Sequence, residues 1–258
     1  MYFGAKNINV SFGKQQALKS ISLEILRGRT TAIIGRNGSG KSTFLRSLAR
    51  LIKFEGEVIF ENQTLANLTN LEIAKKIAFL PQQSTAPLDL TVTDLVSMGR
   101  FPHQKLMQRN LSNSDYEVVR SVMEELELWE FRDRKVASLS GGLQQRAWIG
   151  MVLAQDSEII LLDEPTTYLD LSMQLEILKL LKQQAEKYGK TVVYVLHDLN
   201  LVARFADEII VLKDGQLFAE GNITKTFTEK LLYEAFGLEA KLGKDVFNEV
   251  PMILGIRL

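Results

Sequence analysis

The stretch Thr30-Thr-Ala-Ile-Ile-Gly-Arg-Asn-Gly-Ser-Gly-Lys-Ser42 decides the fold of this chain. Thr30–Ile34 is a short apolar run that stops at Gly35, and a run that is apolar on both faces is typical of a central parallel strand covered by helices. Over residues 41–52, apolar side chains then recur at helical spacing. The order of strand, glycine-rich loop and helix predicts a unit of an α/β fold.

The loop itself indicates a phosphate site. Residues 35–42 fit the pattern G-x-x-x-x-G-K-[ST] at every fixed position. Glycines let backbone N–H groups turn inward around phosphate oxygens, and the helix that follows presents its positive end to the same anion. Lys41 would supply a charge for the β- and γ-phosphates, and the Ser42 hydroxyl could ligate Mg²⁺. The alternative, a glycine-rich turn that only caps a helix, is disfavoured by the strand-to-helix context.

Three polar side chains end two other apolar runs. Asp163 ends the run 159–163, Glu164 follows it, and His197 ends the run 192–196. Adjacent acids are often a solvated turn, and a lone histidine is more often structural than functional. At the carboxyl ends of parallel strands, however, side chains face the ligand crevice. We therefore expect Asp163 to hold the water shell of Mg²⁺, Glu164 to activate the attacking water as a general base, and His197 to assist at the same edge.

The rest of the pattern predicts a sheet core interrupted by a helical region. Residues 87–156 read as helical, with Thr91 and either Ser112 or Ser114 as helix caps, and residues 225–258 read as a short helix followed by ambiguous apolar stretches. Around these lie antiparallel strands at 7–12 and 21–25, buried strands at 158–163 and 191–196, a helix between them that Gly189 would end, and a hairpin over 209–218 with its turn at Asp214-Gly215.

Composition limits the possible functions. Lys plus Arg and Asp plus Glu are both 31, so no global field recruits nucleic acid or an anionic membrane. Cysteine is absent, which excludes disulfides, thiolate zinc sites and cysteine nucleophiles. The first residues lack the basic and apolar regions of a secretory signal, and no apolar run approaches the ~18–20 residues that span a bilayer. We expect any membrane role to be peripheral.

These motifs together resemble the nucleotide-binding subunit of ABC transporters. The Walker A loop (35–42), the Leu139-Ser-Gly-Gly142 signature, the Walker B strand with Glu164, and His197 stand in the family's order. The resemblance implies a P-loop NTPase (RecA-like) α/β core with an N-terminal antiparallel β subdomain and an inserted α-helical subdomain. It divides one domain, 1–258, into a β subdomain and core at 1–86 and 157–224, a helical signature subdomain at 87–156, and a C-terminal extension at 225–258.

The resemblance also gives a role to Gly141 and Gly142. In the family, two subunits enclose two ATP molecules head to tail, and each signature contacts the nucleotide held by the other subunit. Ser140, Gly141 and Gly142 would open a helix over residues 144–154 and aim its N-terminus at the partner's γ-phosphate. A plain helix cap would account for Ser140 but not for both glycines. Leu143 stands where the family usually has Gln, Glu or Lys, which puts a polar ribose contact there in doubt.

Further residues carry over from the family by position. Gln82 matches the Q-loop residue that senses Mg²⁺ and water, with Gln83 as the other possible register, and Asp170 matches the D-loop at the dimer interface. Phe12 either stacks on adenine or is an ordinary core aromatic. The expected ATP-binding residues also include Gly35, Asn37, Gly38, Ser39, Gly40, Lys41, Ser42 and Thr43. The expected catalytic residues are Glu164, His197, Lys41 and Gln82. The expected metal ligands are Ser42, Gln82 and Asp163.

Two stretches, Met98-Gly-Arg-Phe-Pro-His103 and 166–176, resemble the ATPases of importers for ferric siderophores, haem and cobalamin. The implied partners are a second copy of the chain, membrane-spanning permease subunits and, indirectly, an extracytoplasmic solute-binding protein, with the chain on the cytoplasmic face of the membrane. An ABC ATPase that acts on DNA or ribosomes is the main alternative. It is disfavoured because the chain has one cassette, neutral charge and no heptad run. A P-loop kinase for a small molecule is disfavoured by the signature and by the Asp163-Glu164 pair.

Overall fold

A computed structural model describes residues 1–82, 87–104 and 111–257, and Gln83 lies outside the described residues. The strands are β1 (Phe3–Phe12), β2 (Gln15–Ile25), β3 (Thr30–Ile34), β4 (Glu55–Phe60), β5 (Gln63–Thr64), β6 (Ile77–Leu80), β7 (Ile159–Asp163), β8 (Thr191–Val195), β9 (Glu208–Lys213), β10 (Gln216–Asn222), β11 (Glu239–Lys244) and β12 (Pro251–Arg257). The helices are α1 (Lys41–Leu48), α2 (Asn70–Lys76), α3 (Val92–Met98), α4 (Asn113–Glu125), α5 (Gly141–Ala154), α6 (Leu171–Tyr188), α7 (Leu199–Phe205), α8 (Ile223–Thr226) and α9 (Glu229–Phe236).

A six-stranded sheet in the order β10-β9-β3-β8-β7-β6 forms the centre of the molecule. The pairs from β9 to β6 are parallel, and β10 joins β9 through an antiparallel hairpin. Every residue of β3, β7 and β8 is buried, as expected for central strands covered on both faces. The carboxyl ends of β3, β7 and β8 therefore place the glycine-rich loop, Asp163 and His197 at one edge of the sheet.

The central sheet separates two hydrophobic layers. On one face, alternate strand residues such as Ile33 and Leu161 pack with α1 and with a second sheet of order β2-β1-β4-β5. On the other face, neighbours such as Ile34 and Leu162 pack with the helical region and with α6, α7 and α9. The alternation of strand residues between the two faces is the ordinary consequence of the strand repeat. The α/β architecture, with an antiparallel β part and a helical part, is as the sequence predicted.

The described part of residues 87–156 is helical and contains no strand, apart from a single β-bridge between Thr91 and Lys135. Thr91 and Ser112 begin α3 and α4, and each forms a reciprocal capping box with an aspartate three residues later, which satisfies the free N–H groups of the first turn. The sequence did not distinguish between Ser112 and Ser114 as the cap of α4, and in the structure the cap is Ser112. Assignment of 87–156 as a subdomain with those boundaries stays a prediction.

Several element boundaries differ from expectation. The helix predicted over 41–52 ends at Leu48, because Arg50 adopts a left-handed backbone (φ 55°) and the Leu51 N–H turns back to the Arg46 carbonyl at 2.9 Å. Leu51 is consequently 57% exposed, although its spacing fits a helix. The signature helix begins at Gly141 rather than at Gln144, so both glycines lie inside its first turn. Strands β4 and β6 were not predicted.

The C-terminal segment, expected as a short helix followed by ambiguous apolar stretches, contains more regular structure than predicted. Two helices, α8 and α9, are followed by the antiparallel pair β11 and β12, which forms a sheet of its own. Two predicted turns are confirmed elsewhere: Gly189 ends α6 in a left-handed conformation (φ 67°), and Asp214 and Gly215 both have positive φ between β9 and β10, as a type I′ turn requires.

Candidate nucleotide-binding site

The glycine-rich loop runs from the end of β3 to the start of α1. Gly40 has φ 99°, and a Cβ atom there would come within 2.6 Å of the Leu18 side chain and 3.0 Å of the Ala17 carbonyl. At Gly35, a Cβ would overlap the Leu212 carbonyl. Close approach of neighbouring atoms, from the Leu18 side chain as well as from the backbone, therefore requires both glycines and keeps the loop tight enough to present its N–H groups to an anion.

Lys41 lies over this loop rather than in solvent. Its side chain is largely buried, and Nζ donates hydrogen bonds to the carbonyls of Gly35 at 2.9 Å and Arg36 at 3.1 Å. Burial lowers the pKa of Lys41, while the nearby carboxylates of Glu164 and Asp163 act in the opposite direction. The lysine thus holds its amine at the loop, next to the position that a phosphate group would occupy.

Ser42 and Asp163 are joined across the sheet edge. The Ser42 hydroxyl donates to Asp163 Oδ1 at 2.8 Å, and Asp163 is fully buried. Its other oxygen, Oδ2, has no hydrogen-bond partner among the described residues, and the nearest cation is Arg46 Nη2 at 3.6 Å. Burial raises the pKa of Asp163, although the Ser42 hydrogen bond and Arg46 act against it. A buried carboxylate oxygen without a donor, beside a serine hydroxyl, fits the oxygen ligands that Mg²⁺ prefers.

Glu164 is held by three side chains from different parts of the chain. Gln82 Nε2 donates to Oε2 at 2.7 Å, the Thr167 hydroxyl donates to Oε2 at 3.0 Å, and His197 Nε2 lies 2.6 Å from Oε1. Burial acts to raise the pKa of Glu164, but the hydrogen bonds from His197 and Thr167 outweigh it and the pKa lies below its usual value.

The Glu164 backbone is left-handed (φ 55°), which is uncommon for a residue other than glycine and recurs at functional sites. An ionised carboxylate fixed in one orientation is suited to accept a proton from water.

Among these groups, the side chains of Lys41, Ser42, Gln82, Glu164 and His197 line one cleft of about 860 Å³. Phe12 is 58% exposed at this cleft, so the interpretation of Phe12 as a core aromatic is wrong. An exposed ring beside the phosphate loop is available for stacking on a planar base. From the expected site residues, the cleft brings together Phe12, Asn37, Gly38, Gly40, Lys41, Ser42, Thr43, Gln82, Glu164 and His197.

The signature residues do not line this cleft. Ser140 begins α5 as its N-cap, with the Leu143 N–H 3.5 Å from its hydroxyl, and both Ser140 and Gly141 are exposed. A Cβ at Gly141 would meet no atom within 4 Å, whereas a Cβ at Gly142 would overlap the side chain of Met173 in α6. Gly142 thus lies in close contact with Met173 of the same chain, whereas Gly141 has no such neighbour.

Two other residues near the signature have partners in the same chain. Asp170 is exposed and caps α6 by accepting from the Met173 N–H at 3.0 Å. Leu143 is half-buried and packs against the main hydrophobic core. At the position where the family usually has a polar side chain, this chain therefore has the apolar Leu143, which packs against the core.

Comparison with known proteins agrees with the motifs. The sequence model of the ABC transporter family matches residues 18–167. The petrobactin import ATP-binding protein FpuD of Bacillus anthracis is 43% identical over 250 residues, which cover 96% of this chain and 91% of that protein. This chain belongs to the ABC transporter family.

Another relative and a solved structure also match most of this ABC protein. The ferric enterobactin transport ATP-binding protein FepC of Escherichia coli K12 is 39% identical over 96% of this chain and 92% of its own length. The solved dimer of a bacterial ABC transporter cassette superimposes with a TM-score of 0.74 at 36% identity, covering 85% of this chain and 98% of the cassette. The same cassette has been solved as a dimer with ADP and phosphate bound.

The ABC family assignment makes the chain an ATP-binding subunit with ATPase activity. None of the helices in the described part of the chain is both long and apolar enough to cross a membrane. The described residues also contain no group of three or more His, Cys, Asp or Glu side chains arranged to hold a metal ion.

Two residues of the site in this ABC protein were not predicted from its sequence. Thr167 donates to Glu164, and Arg46 faces Asp163 Oδ2. Both could have been found from spacing: Arg46 lies one helical turn after Ser42 on the same face of α1, and Thr167 lies three residues after Glu164, where a hydroxyl commonly reaches back in a tight turn.

Proposed function

We propose that this chain is the ATP-hydrolysing subunit of an ABC importer for ferric siderophores or related iron chelates. The solute class rests on the relatives, whose names specify petrobactin import and ferric enterobactin transport. Their similarity extends along almost the whole chain, including the C-terminal segment. The alternative of an ABC ATPase acting on DNA or ribosomes is disfavoured because these relatives are transport proteins.

The observation that carries the catalytic part of the proposal is the hydrogen bonding of Glu164. Three donors from Gln82, Thr167 and His197 fix its carboxylate in the cleft that also contains Lys41 and Ser42. Glu164 would accept a proton from the attacking water, and His197 would keep the carboxylate in place. Because Gln82 bonds directly to Glu164, movement of the Q-loop would change the orientation of the catalytic base.

Nucleotide would be held by the remaining residues of the cleft. Phe12 would stack on the base, the amides of Gly38, Gly40 and their neighbours would bind phosphate oxygens, and Lys41 would neutralise the β- and γ-phosphates. Ser42, Asp163 and Gln82 would hold Mg²⁺ directly or through water, together with phosphate oxygens. The metal would supply charge neutralisation of the triphosphate. The Lys41 amine donates two of its three N–H groups to the carbonyls of Gly35 and Arg36, and its third would be available to a phosphate oxygen.

Each active site would be completed by a second copy of the chain. The exposed residues Ser140 and Gly141 lie outside the cleft of their own chain but stand at the N-terminus of α5, where free N–H groups favour an anion. Ser140, Gly141 and Gly142 would meet the γ-phosphate bound to the partner, with Asp170 at the interface. The dimeric form of the related cassette supports this arrangement.

Closure and reopening of this dimer would drive membrane-embedded permease subunits at the cytoplasmic face of the membrane. The helical region, which includes the exposed side chain of Phe101, would contact the permease. A solute-binding protein outside the membrane would deliver the chelate.

The substitution Glu164→Gln tests the proposal. The amide keeps the shape of the side chain but cannot accept the proton, so we expect turnover to fall by about 10²–10⁴-fold while ATP induces a stable dimer on size-exclusion chromatography. In cells deleted for the gene, uptake of iron supplied as a ferric siderophore should be restored by the wild-type chain and not by Glu164→Gln. Normal turnover of the variant would contradict the role of Glu164; unimpaired uptake in the deletion strain would contradict the solute class.

A further inference from the structure

The C-terminal segment packs against the helix that begins just after His197. Strand β12 contacts α7, and α7 begins at Leu199, two residues beyond His197. The β11–β12 sheet lies outside residues 18–167, which match the family. Its contact with α7 therefore connects a segment of unassigned role to an element next to the catalytic cleft.

One side chain makes the polar connection between the two elements. Asn200, in the first turn of α7, accepts a hydrogen bond from the Ile253 N–H at 2.8 Å, and its amide nitrogen lies 3.5 Å from the Ile253 carbonyl. Asn200 and Ile253 are both half-buried. Because the amide pairs with both backbone groups of one strand residue, it fixes the direction as well as the distance of β12 from α7.

Asn200 is also part of the cap that follows His197. The Asp198 carboxylate accepts from the N–H groups of Asn200 at 2.8 Å and Leu201 at 3.0 Å. The main chain of Asn200 is thus held by the residue adjacent to His197, and its side chain is held by the C-terminal sheet. A displacement of Asn200 would be transmitted to His197 through Asp198, since only Asp198 and Leu199 separate the two residues.

The β11–β12 sheet has its own attachments to the rest of the molecule. The Leu242 N–H donates to the Glu229 carboxylate of α9 at 3.1 Å, and Lys213 of β9 donates to the Glu234 carbonyl of α9 at 2.8 Å. Leu242 and Ile253 pack against the main hydrophobic core. The sheet is therefore anchored to the central strands through α9, and it can serve as a fixed support for α7.

We propose that Asn200 is a positioning residue through which the C-terminal β11–β12 sheet fixes the start of α7, and with it the orientation of His197 toward Glu164. The inference rests on the proposed catalytic role of the Glu164–His197 pair. It assigns the C-terminal segment a part in turnover, by holding the 2.6 Å contact between His197 and Glu164, beyond any contribution to stability.

Two substitutions break the same hydrogen bond from opposite sides. Asn200→Ala removes the acceptor, and Ile253→Pro removes the N–H donor on a strand that has only one neighbour, where proline is tolerated. The matched control is Ile253→Val, which keeps the N–H and most of the packing. We expect Asn200→Ala and Ile253→Pro each to lower kcat for ATP about tenfold with little change in KM, and the double variant to be no worse than the single variants.

The orientation of His197 has a readout independent of turnover. The chain contains only two histidines, so the imidazole NMR signals of the full-length protein can be assigned with His103→Gln. We expect the His197 signals to shift in Asn200→Ala and Ile253→Pro and to stay in place in Ile253→Val. Circular dichroism and melting temperature identify any variant that fails to fold. If Ile253→Pro does not fold, the kcat and the His197 signals of Asn200→Ala alone test the proposal.

The outcomes separate this inference from the proposed function. If His197→Ala retains full turnover, the catalytic role of His197 is wrong. If His197→Ala loses turnover while Asn200→Ala keeps both its kcat and its His197 signals, the positioning role of Asn200 is wrong and the β11–β12 sheet only packs. A lowered melting temperature in Asn200→Ala with unchanged kcat and unchanged signals has the same meaning.

Discussion

The two glycine-rich helix starts of this chain differ in how many partners the chain itself supplies. At the start of α1, Lys41 bonds to the loop carbonyls, Ser42 bonds to Asp163, and both lie beside the fixed Glu164 in one cleft. At the start of α5, Ser140 makes only a weak cap bond, and a side-chain atom at Gly141 would stand in open space. The start of α1 therefore lies in a site whose side chains already contact one another, whereas the start of α5 lies on an exposed surface.

This difference gives a physical reason for the proposed sharing of each active site between two copies of the chain. An exposed helix N-terminus favours an anion, but in the described part of this chain no phosphate-binding group of the cleft lies beside it. Under the proposed function, the α1 start would supply the binding energy for a nucleotide, and the α5 start would act on a nucleotide held by another copy. Substitutions at α1 should therefore change nucleotide affinity in a single chain, and substitutions at α5 should change turnover without changing that affinity.

The largest expected effect within this comparison is that of Lys41→Ala. Loss of a charge-assisted hydrogen bond to phosphate should weaken nucleotide binding by about 10–100-fold, which titration calorimetry with a non-hydrolysable ATP analogue would measure. The matched control is Ser140→Ala, whose affinity in dilute solution should stay at the wild-type value. Unchanged affinity in Lys41→Ala, or an equal loss in both variants, would remove the distinction between the two helix starts.

The neighbouring glycines of the signature provide a sharper test. Gly141→Ala adds a methyl group where this chain has no atom within 4 Å, so the melting temperature of the isolated chain should be nearly unchanged. If the partner's nucleotide approaches this point, the added Cβ obstructs it, and turnover at high protein concentration should fall about tenfold. The measurement is ATPase rate against protein concentration. Wild-type turnover in Gly141→Ala would argue that no nucleotide approaches this surface.

Gly142→Ala is the counterpart within the chain. Its Cβ would overlap the end of the flexible, half-buried Met173 side chain, which would have to change rotamer, so the loss of stability should lie at or below the low end of the about 1–3 kcal/mol typical of overpacking. Differential scanning calorimetry should therefore show a lower melting temperature for Gly142→Ala than for Gly141→Ala. The reverse order of the two melting temperatures would mean that α5 and α6 do not pack as described.

Local patterns were sufficient to predict features whose partners lie within a few residues. The Gly189 cap, the Asp214-Gly215 turn and the Thr91 N-cap all follow from backbone conformation and short-range hydrogen bonds, and all are present. The α1 end was wrong because the spacing of Leu51 fits a helix and the left-handed Arg50 carries no sequence signal. Strand β6 has only four residues, too short for periodicity to separate strand from helix.

Contacts between distant parts of the chain could not be predicted in the same way. The sequence named Glu164, His197 and Gln82 separately, but the structure shows that they form one hydrogen-bonded group. The pairing of Asn200 with Ile253 spans 53 residues, and neither residue belongs to a motif. Exposure also had to come from the structure, since the local sequence around Phe12 fits a core aromatic and a surface aromatic equally well.

The smallest expected effect concerns the stability cost of the metal-site carboxylate. Asp163→Asn keeps the acceptor for the Ser42 hydroxyl but removes the buried charge, so the nucleotide-free variant should melt roughly 2–4 °C above the wild type at pH 7 while it loses Mg²⁺-dependent turnover.

The pH dependence of this difference follows from the pKa of Asp163. Because burial raises that pKa, the folded wild type binds a proton more tightly than the unfolded chain. The loss of folding stability caused by the buried Asp163 charge is therefore fully present above the folded-state pKa of Asp163. It disappears as the pH falls toward the pKa of Asp163 in the unfolded chain. The melting temperatures of the two proteins, measured by circular dichroism without nucleotide or Mg²⁺, should converge between pH 7 and pH 4. Two results would contradict this: a difference in melting temperature that widens toward low pH, or a variant that melts below the wild type at pH 7. Either would mean that Arg46 and Ser42 already compensate the charge of Asp163, and that the α1 site is stable without its ligands.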